Sequence, residues 1–181
     1  MSAARRRAGR VALALAGLVG CSEGPVVIDT YVAIAYTPNE FGRGAARRDL
    51  LTEVRGDPLA LGAGAFAGGV VELLNRHEPR PQPTTFALAP DDSADPAYRV
   101  ILLFDAPRAV NSLSVCRQPP AAEPAPPDTL RVTGAFCRGG TTLTKVTAET
   151  GSVTGLDDPK LDALLAQVVR DLFPIRGGDR D

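Results

Sequence analysis

Tryptophan is absent from this chain, histidine occurs once, and aromatic residues make up 5% of its 181 positions. With Tyr31, Tyr36 and Tyr98 as the tyrosines, an aromatic platform for sugars is poorly provided for. A single histidine, His77, excludes the His pair that many zinc sites need. As a general base His77 would need a positioned nucleophile, and no Gly-x-Ser-x-Gly elbow exists. Lying between Arg76 and Glu78, it reads as a surface residue near a helix C-terminus. No phosphate loop of Walker type is present. Lysine is nearly missing, with Lys145 and Lys160 the two examples. Four of the 20 basic residues, Arg5, Arg6, Arg7 and Arg10, lie in the first 20 positions, and none of the 21 acidic residues does. From Cys21 onward the formal charge is therefore −5, which argues against nucleic acid and against a polybasic membrane patch. Long apolar runs are lacking as well. Val11–Val19 stops at nine residues, where a bilayer span takes about 20.

Two local patterns resemble sites and fall short of them. Gly62-Ala63-Gly64 with Gly68 is close to a dinucleotide loop, but the third glycine is one place late. No convincing strand leads in and no βαβ unit is expected to follow, so the segment reads as a flexible loop at a helix start. Asp91, Asp92 and Asp95 suggest calcium, yet the sixth and twelfth positions of an EF-hand loop would be Pro96 and Leu102. A solvated turn fits better. Carboxylate pairs involving Asp105, or Glu72 with Asp49, stay open, because glycosidase chemistry depends on a separation that sequence does not reveal. No residue is assigned as catalytic or as a metal ligand, and no cofactor is expected.

The informative stretch is N-terminal. Arg5-Arg6-Arg7 and Arg10 precede the apolar run Val11–Val19, and Leu18-Val19-Gly20-Cys21 closes it. Charged region, short apolar region and small-residue cleavage site are the layout of a secretory signal. With cysteine in the last place, the segment resembles the lipobox of bacterial lipoproteins. That resemblance implies cleavage before Cys21, acylation of Cys21 by palmitate-type chains, and anchoring in the cell envelope. The alternatives are an ordinary secretory signal with a coincidental cysteine, or a short buried helix. Residues 1–20 are then a signal peptide, and 21–25 a lipidated tether. Ser22–Pro25 reaches at most ~14 Å, holding the domain close to the membrane. Aspartate after the acylated cysteine favours inner-membrane retention in Gram-negative members; Ser22 stands there, which implies the outer membrane, facing the periplasm.

Cys116 and Cys137 remain, an even pair in an oxidising compartment, and read as a disulfide. Two free buried thiols or a metal pair are the alternatives. Their midpoint falls at Pro126-Pro127, so strands folding back symmetrically there would bring them together.

Strands are predicted over Val26–Tyr36, Thr84–Leu88, Tyr98–Asp105, Val110–Arg117, Thr129–Arg138 and, after a tight Gly139-Gly140 hairpin turn, Thr141–Glu149, which does not strictly alternate; Asp49–Arg55 is either strand or helical turn. In the first, Ile28, Val32, Ile34 and Tyr36 share a face with Thr30. The near-continuous run Val100–Phe104 fits a central strand buried on both faces. Thr37–Glu40 reads as a turn and Gly42–Arg48 as a loop. Gln118–Asp128 contains Pro119, Pro120, Pro124, Pro126 and Pro127, which excludes a ladder. Helices are predicted over Ala65–Arg76 and Lys160–Phe173, the second with Asp158 as N-cap and Pro159 at its first position. The expected fold is one α+β domain over 26–174, an antiparallel sheet of about five to seven strands with two helices on one face, and a disordered tail over 175–181. The expected function is a non-enzymatic accessory or scaffold of the envelope, with other envelope proteins as partners. A small-ligand-binding lipoprotein and, third, a carboxylate-dependent hydrolase are the alternatives.

Overall fold

The computed structural model describes residues 24–175 apart from Glu78, Arg80, Pro81 and Pro124. The segment expected to be a signal peptide, Cys21, the start of the expected tether and the expected tail beyond Ile175 lie outside the described residues.

The described chain is α+β. Its elements in order are β1 (Val26–Val32), α1 (Pro38–Gly44), β2 (Asp49–Arg55), α2 (Ala63–Leu74), β3 (Thr85–Ala87), β4 (Tyr98–Phe104), β5 (Thr129–Arg138), β6 (Thr141–Gly151) and α3 (Pro159–Leu172). Six strands form one sheet in the order β1-β6-β5-β4-β2-β3. The sheet is mixed, which corrects the antiparallel expectation. β2 runs parallel to both β3 and β4, while β1, β6, β5 and β4 pair antiparallel in turn. The reason is α2. It carries the chain back along the sheet, so β3 starts at the same end as β2, the usual way of joining parallel neighbours. β4 lies between β2 and β5 with Val100–Phe104 all buried, as its unbroken apolar run requires.

α3 follows the sequence closely. Asp158 accepts from the Lys160 amide at 2.9 Å, Pro159 opens the first turn, and Leu161, Leu164, Leu165, Val168, Val169 and Leu172 are buried. These residues join Phe66, Val70, Leu73 and Leu74 of α2 and Val100, Leu102, Phe104, Val132 and Phe136 of the sheet in one cluster. Phe173 and Phe136 pack edge-on within it, with ring centroids 5.3 Å apart.

Three further expectations change. Thr37–Glu40 is not a free turn but the start of a third helix, α1, with Thr37 before it and Pro38 at its first position. Phe41 of this helix is buried against Phe136 and Phe173. β1 stops at Val32, and the Tyr36 amide bonds the Ala33 carbonyl. Tyr36 still reaches the core, donating its hydroxyl to the Pro174 carbonyl at 3.1 Å, whereas Ile34 is left fully exposed. Val110–Arg117 is not a strand. Asn111 ends the extended chain: its side chain accepts from the Leu113 amide, and its carbonyl accepts from the Ser114 and Val115 amides. Such local bonding competes with a ladder.

Candidate functional site

Successive side chains of a strand point to opposite faces. Val100, Leu102 and Phe104 of β4 belong to the cluster that contains the helices, and Ile101 and Leu103 to a second cluster. That second cluster is completed by Ala106, Val110, Val115 and Cys116 from the irregular segment after β4, and by Ala135 and Cys137 of β5. The segment has no ladder of its own, so its backbone carbonyls must find other donors. Three cations of the sheet supply them. Arg131 Nη1 donates to the Ala106 carbonyl at 2.9 Å, Lys145 Nζ to the Val110 carbonyl at 2.7 Å, and Arg99 Nη2 to the Cys116 carbonyl at 2.6 Å. Arg131 and Lys145 are buried, which is costly for a charge without a counter-ion. Glu149 faces Arg131 at 2.6 Å, and Asp29 faces Lys145 at 2.5 Å. Between the two pairs, the Thr133 and Thr147 hydroxyls bond each other at 2.9 Å.

The Cys116–Cys137 disulfide is present and adds a covalent tie, with the Cα atoms 5.7 Å apart. Its geometry is not the folded-back pair of strands that the spacing suggested. Cys137 lies near the end of β5, and Cys116 sits in the turn of the capping segment above it. The bridge therefore pins the cap to the sheet.

At the β5–β6 hairpin end, cap and sheet part to leave a groove of about 450 Å³. Tyr31 and Ala33 line one side, Leu113 and Arg117 of the cap the other, and Gly140 and Thr142 the floor. The Arg117 stem lies across Gly140, where a Cβ would collide with it. Arg117 makes no salt bridge among the described residues. Thr142 is buried, and its Oγ1 has no hydrogen-bond partner among them. Leu113 is 66% exposed.

At the opposite end of the sheet, Asp105 and Asp128 line a cleft of about 310 Å³ with Pro58, Leu59 and Ser152. Both aspartates adopt left-handed backbone, φ 53° and 60°, which Asp tolerates better than most residues. Burial raises the Asp105 carboxyl above its ordinary value, and Arg131 opposes that shift.

No protein-family profile matches the chain, and no curated protein does. A solved structure is similar in outline. It is described as the PelC L103M dodecamer from Paraburkholderia phytofirmans, with a TM-score of 0.43 and 14% identity, covering 83% of this chain and 98% of that one.

The residues singled out from sequence are scattered. His77 lies just past the C-terminus of α2 and is partly exposed; its Nε2 is 2.9 Å from Asp162 Oδ1, which joins that end to α3. No hydroxyl or thiol bonds that ring among the described residues. A strand and a βαβ unit do surround the glycine loop, since β2, α2 and parallel β3 follow one another. Its first amide is nonetheless occupied, because the Asp57 carboxylate accepts from the Gly62 amide at 2.7 Å and from the preceding Leu61 amide at 3.2 Å. An acid of the chain itself holds the place a phosphate would take. Asp91 caps its own turn, accepting from the Ser93 amide at 2.8 Å, and the Ser93 hydroxyl first, then its amide, lower the Asp91 carboxyl below the usual range. No group of His, Cys, Asp and Glu able to hold a metal occurs among the described residues. Sequence reasoning missed the groove. The nearest signal was Ile34, an apolar residue next to the groove's Ala33 in a strand-like alternation that the strand does not reach.

Proposed function

We propose that this protein is a lipid-anchored accessory of the bacterial cell envelope that binds a partner protein and does not turn over a substrate. The single observation that carries this reading is the fully exposed Ile34. It follows Ala33, which lines the groove with exposed Leu113, and lies just past the end of β1, the outermost strand of the sheet among the described residues. Apolar surface at an unpaired sheet edge is a recurrent docking feature. Supporting the address are the basic start, the short apolar run and Leu18-Val19-Gly20-Cys21. The Cys116–Cys137 bridge agrees with an oxidising compartment such as the periplasm. In this reading α2 and α3 lie together on one face of the sheet, the disulfide-pinned cap covers the other, and Ser22 directs the protein to the outer membrane. Crosslinking in the native envelope, with identification of the product, tests it. A discrete partner retained by a His77→Ala chain is expected. A deletion phenotype that a folded, abundant His77→Ala chain fails to complement overturns it.

A carboxylate-dependent hydrolase is the second reading, favoured by the raised Asp105 carboxyl in a cleft it shares with Asp128. Asp105→Asn at matched protein level separates the two. Loss of function without loss of partner crosslinking favours the hydrolase.

A further inference from the structure

We infer that the groove beside β1 takes an extended peptide segment of the partner, one that carries a carboxylate flanked by aliphatic side chains. This rests on the partner-binding reading above and names the site and chemistry of that binding. Three observations converge. Among the described residues β1 pairs with β6 on one side and with no strand on the other, so alternate backbone groups of Val26–Val32 face outward as a template for an added strand. Proline and lysine are absent from Val26–Val32, and the irregularity at Val27–Asp29 leaves Thr30–Val32, next to the groove, as its regular stretch. Leu113 lines the groove and Ile34 follows its lining residue Ala33, so both offer apolar contact at the surface, where water would otherwise cover them.

The charge selects the acid. Arg117 is the one charged residue lining the groove, has no carboxylate partner among the described residues, and has its stem laid over Gly140. With its stem on Gly140 and Nη2 donating to the Leu113 carbonyl at 3.5 Å, the guanidinium keeps further N–H groups for a carboxylate. Thr142 also lines the groove, and its buried hydroxyl has no hydrogen-bond partner among the described residues. The overall charge beyond Cys21 is negative, so an acidic segment is drawn by this local cation rather than by the whole surface.

The test is to pan a library of displayed random eight-residue peptides against the purified chain from residue 21 onward. Enriched peptides are then measured by fluorescence anisotropy, with amide exchange followed on the same samples. Enrichment of acidic-aliphatic sequences is expected, with slowed exchange in Val26–Val32. Arg117→Glu should weaken an enriched acidic peptide by roughly tenfold to a hundredfold, the usual range for a hydrogen bond to a charged group. Ile34→Asp should also weaken it. Both side chains lie at the surface, so unchanged thermal melts are expected and serve as the folding control. No enrichment, enrichment without acidic residues, or affinity unchanged by Arg117→Glu overturns the proposal. A photoreactive residue at Leu113 and, separately, at Leu61 distinguishes the levels in the envelope. A partner captured from Leu61 alone overturns this site while leaving partner binding intact, and capture from neither defeats both.

Discussion

Single residues show where this chain departs from its own local rules, and the departures fall on the second face and at the hairpin end. Lys145 is the plainest. A buried ammonium is stabilised here by Asp29 and by the Val110 carbonyl. Lys145→Met leaves that carbonyl without its donor and should cost about 1–3 kcal/mol, read from urea unfolding. The Asp29 side chain is 42% exposed and rehydrates, which keeps the loss below that of a fully enclosed pair. Ile34→Asp, by contrast, should leave the melting temperature unchanged, since nothing covers Ile34. Asp158 carries a pH signature. Bonds from the Lys160 and Thr154 amides hold its carboxyl below the usual range. Its stabilisation is thus fully present above the ordinary carboxylate pKa and is lost as pH falls through the lowered one. Asp158→Asn should therefore melt below the native chain at pH 6, and the gap should narrow as the pH drops toward 2. Tyr36, pushed up to about 12 by burial, stays neutral throughout that range.

Elements differ in how far they could be read beforehand, and the difference has a physical basis. α3 was legible almost to the residue because its signals are local: an aspartate cap, a proline after it and an apolar stripe at helical spacing. Leu165 lies fully buried in that stripe, so Leu165→Ala should destabilise by roughly 2–4 kcal/mol. A loss under about 1 kcal/mol would show that this face packs on nothing. β4 and the β5–β6 hairpin were legible for similar reasons, in an unbroken apolar run and a Gly139-Gly140 turn. Strand direction was not. Whether β3 returns parallel to β2 depends on the path of α2 across the sheet, and no residue of Thr85–Ala87 encodes it. The cap was misread because Val110, Val115 and Cys116 alternate poorly but are all apolar and buried; the Asn111 turn decided the geometry. Cap and sheet are joined by the disulfide and by cation-to-carbonyl bonds. Replacing both Cys116 and Cys137 by serine should thus cost about 3 kcal/mol in the chain-entropy description. Amide exchange should quicken in 106–118 well before it does in β5 and β6.

For the whole molecule the question is how a small domain is held and which side it presents. β1 begins at Val26 and runs antiparallel to β6, with Val26 opposite Glu149 and Val32 opposite Thr144. The end of the sheet that carries Val26, Gly151 and Thr129 is thus joined to Cys21 through four residues, at most ~14 Å of chain. The hairpin end, with Ile34, Leu113 and Arg117, lies at the far end of β1. A lipid on Cys21 would in consequence fix the Val26 end near the bilayer and turn the groove toward the periplasm. This arrangement depends on the anchor, and the anchor is directly testable. Cys21→Ser should remove incorporation of a labelled fatty acid and release the chain from the membrane fraction, while purified protein keeps its melting temperature and its Cys116–Cys137 bridge. Undiminished label in that variant would remove the lipid anchor and the orientation that follows from it. Lengthening the tether by about 20 flexible residues provides the second arm. If the domain must present its groove at a fixed short distance from the membrane, the lengthened chain will stay lipidated and folded yet lose partner crosslinking from Leu113. Crosslinking that survives the insertion would mean that the anchor supplies local concentration alone.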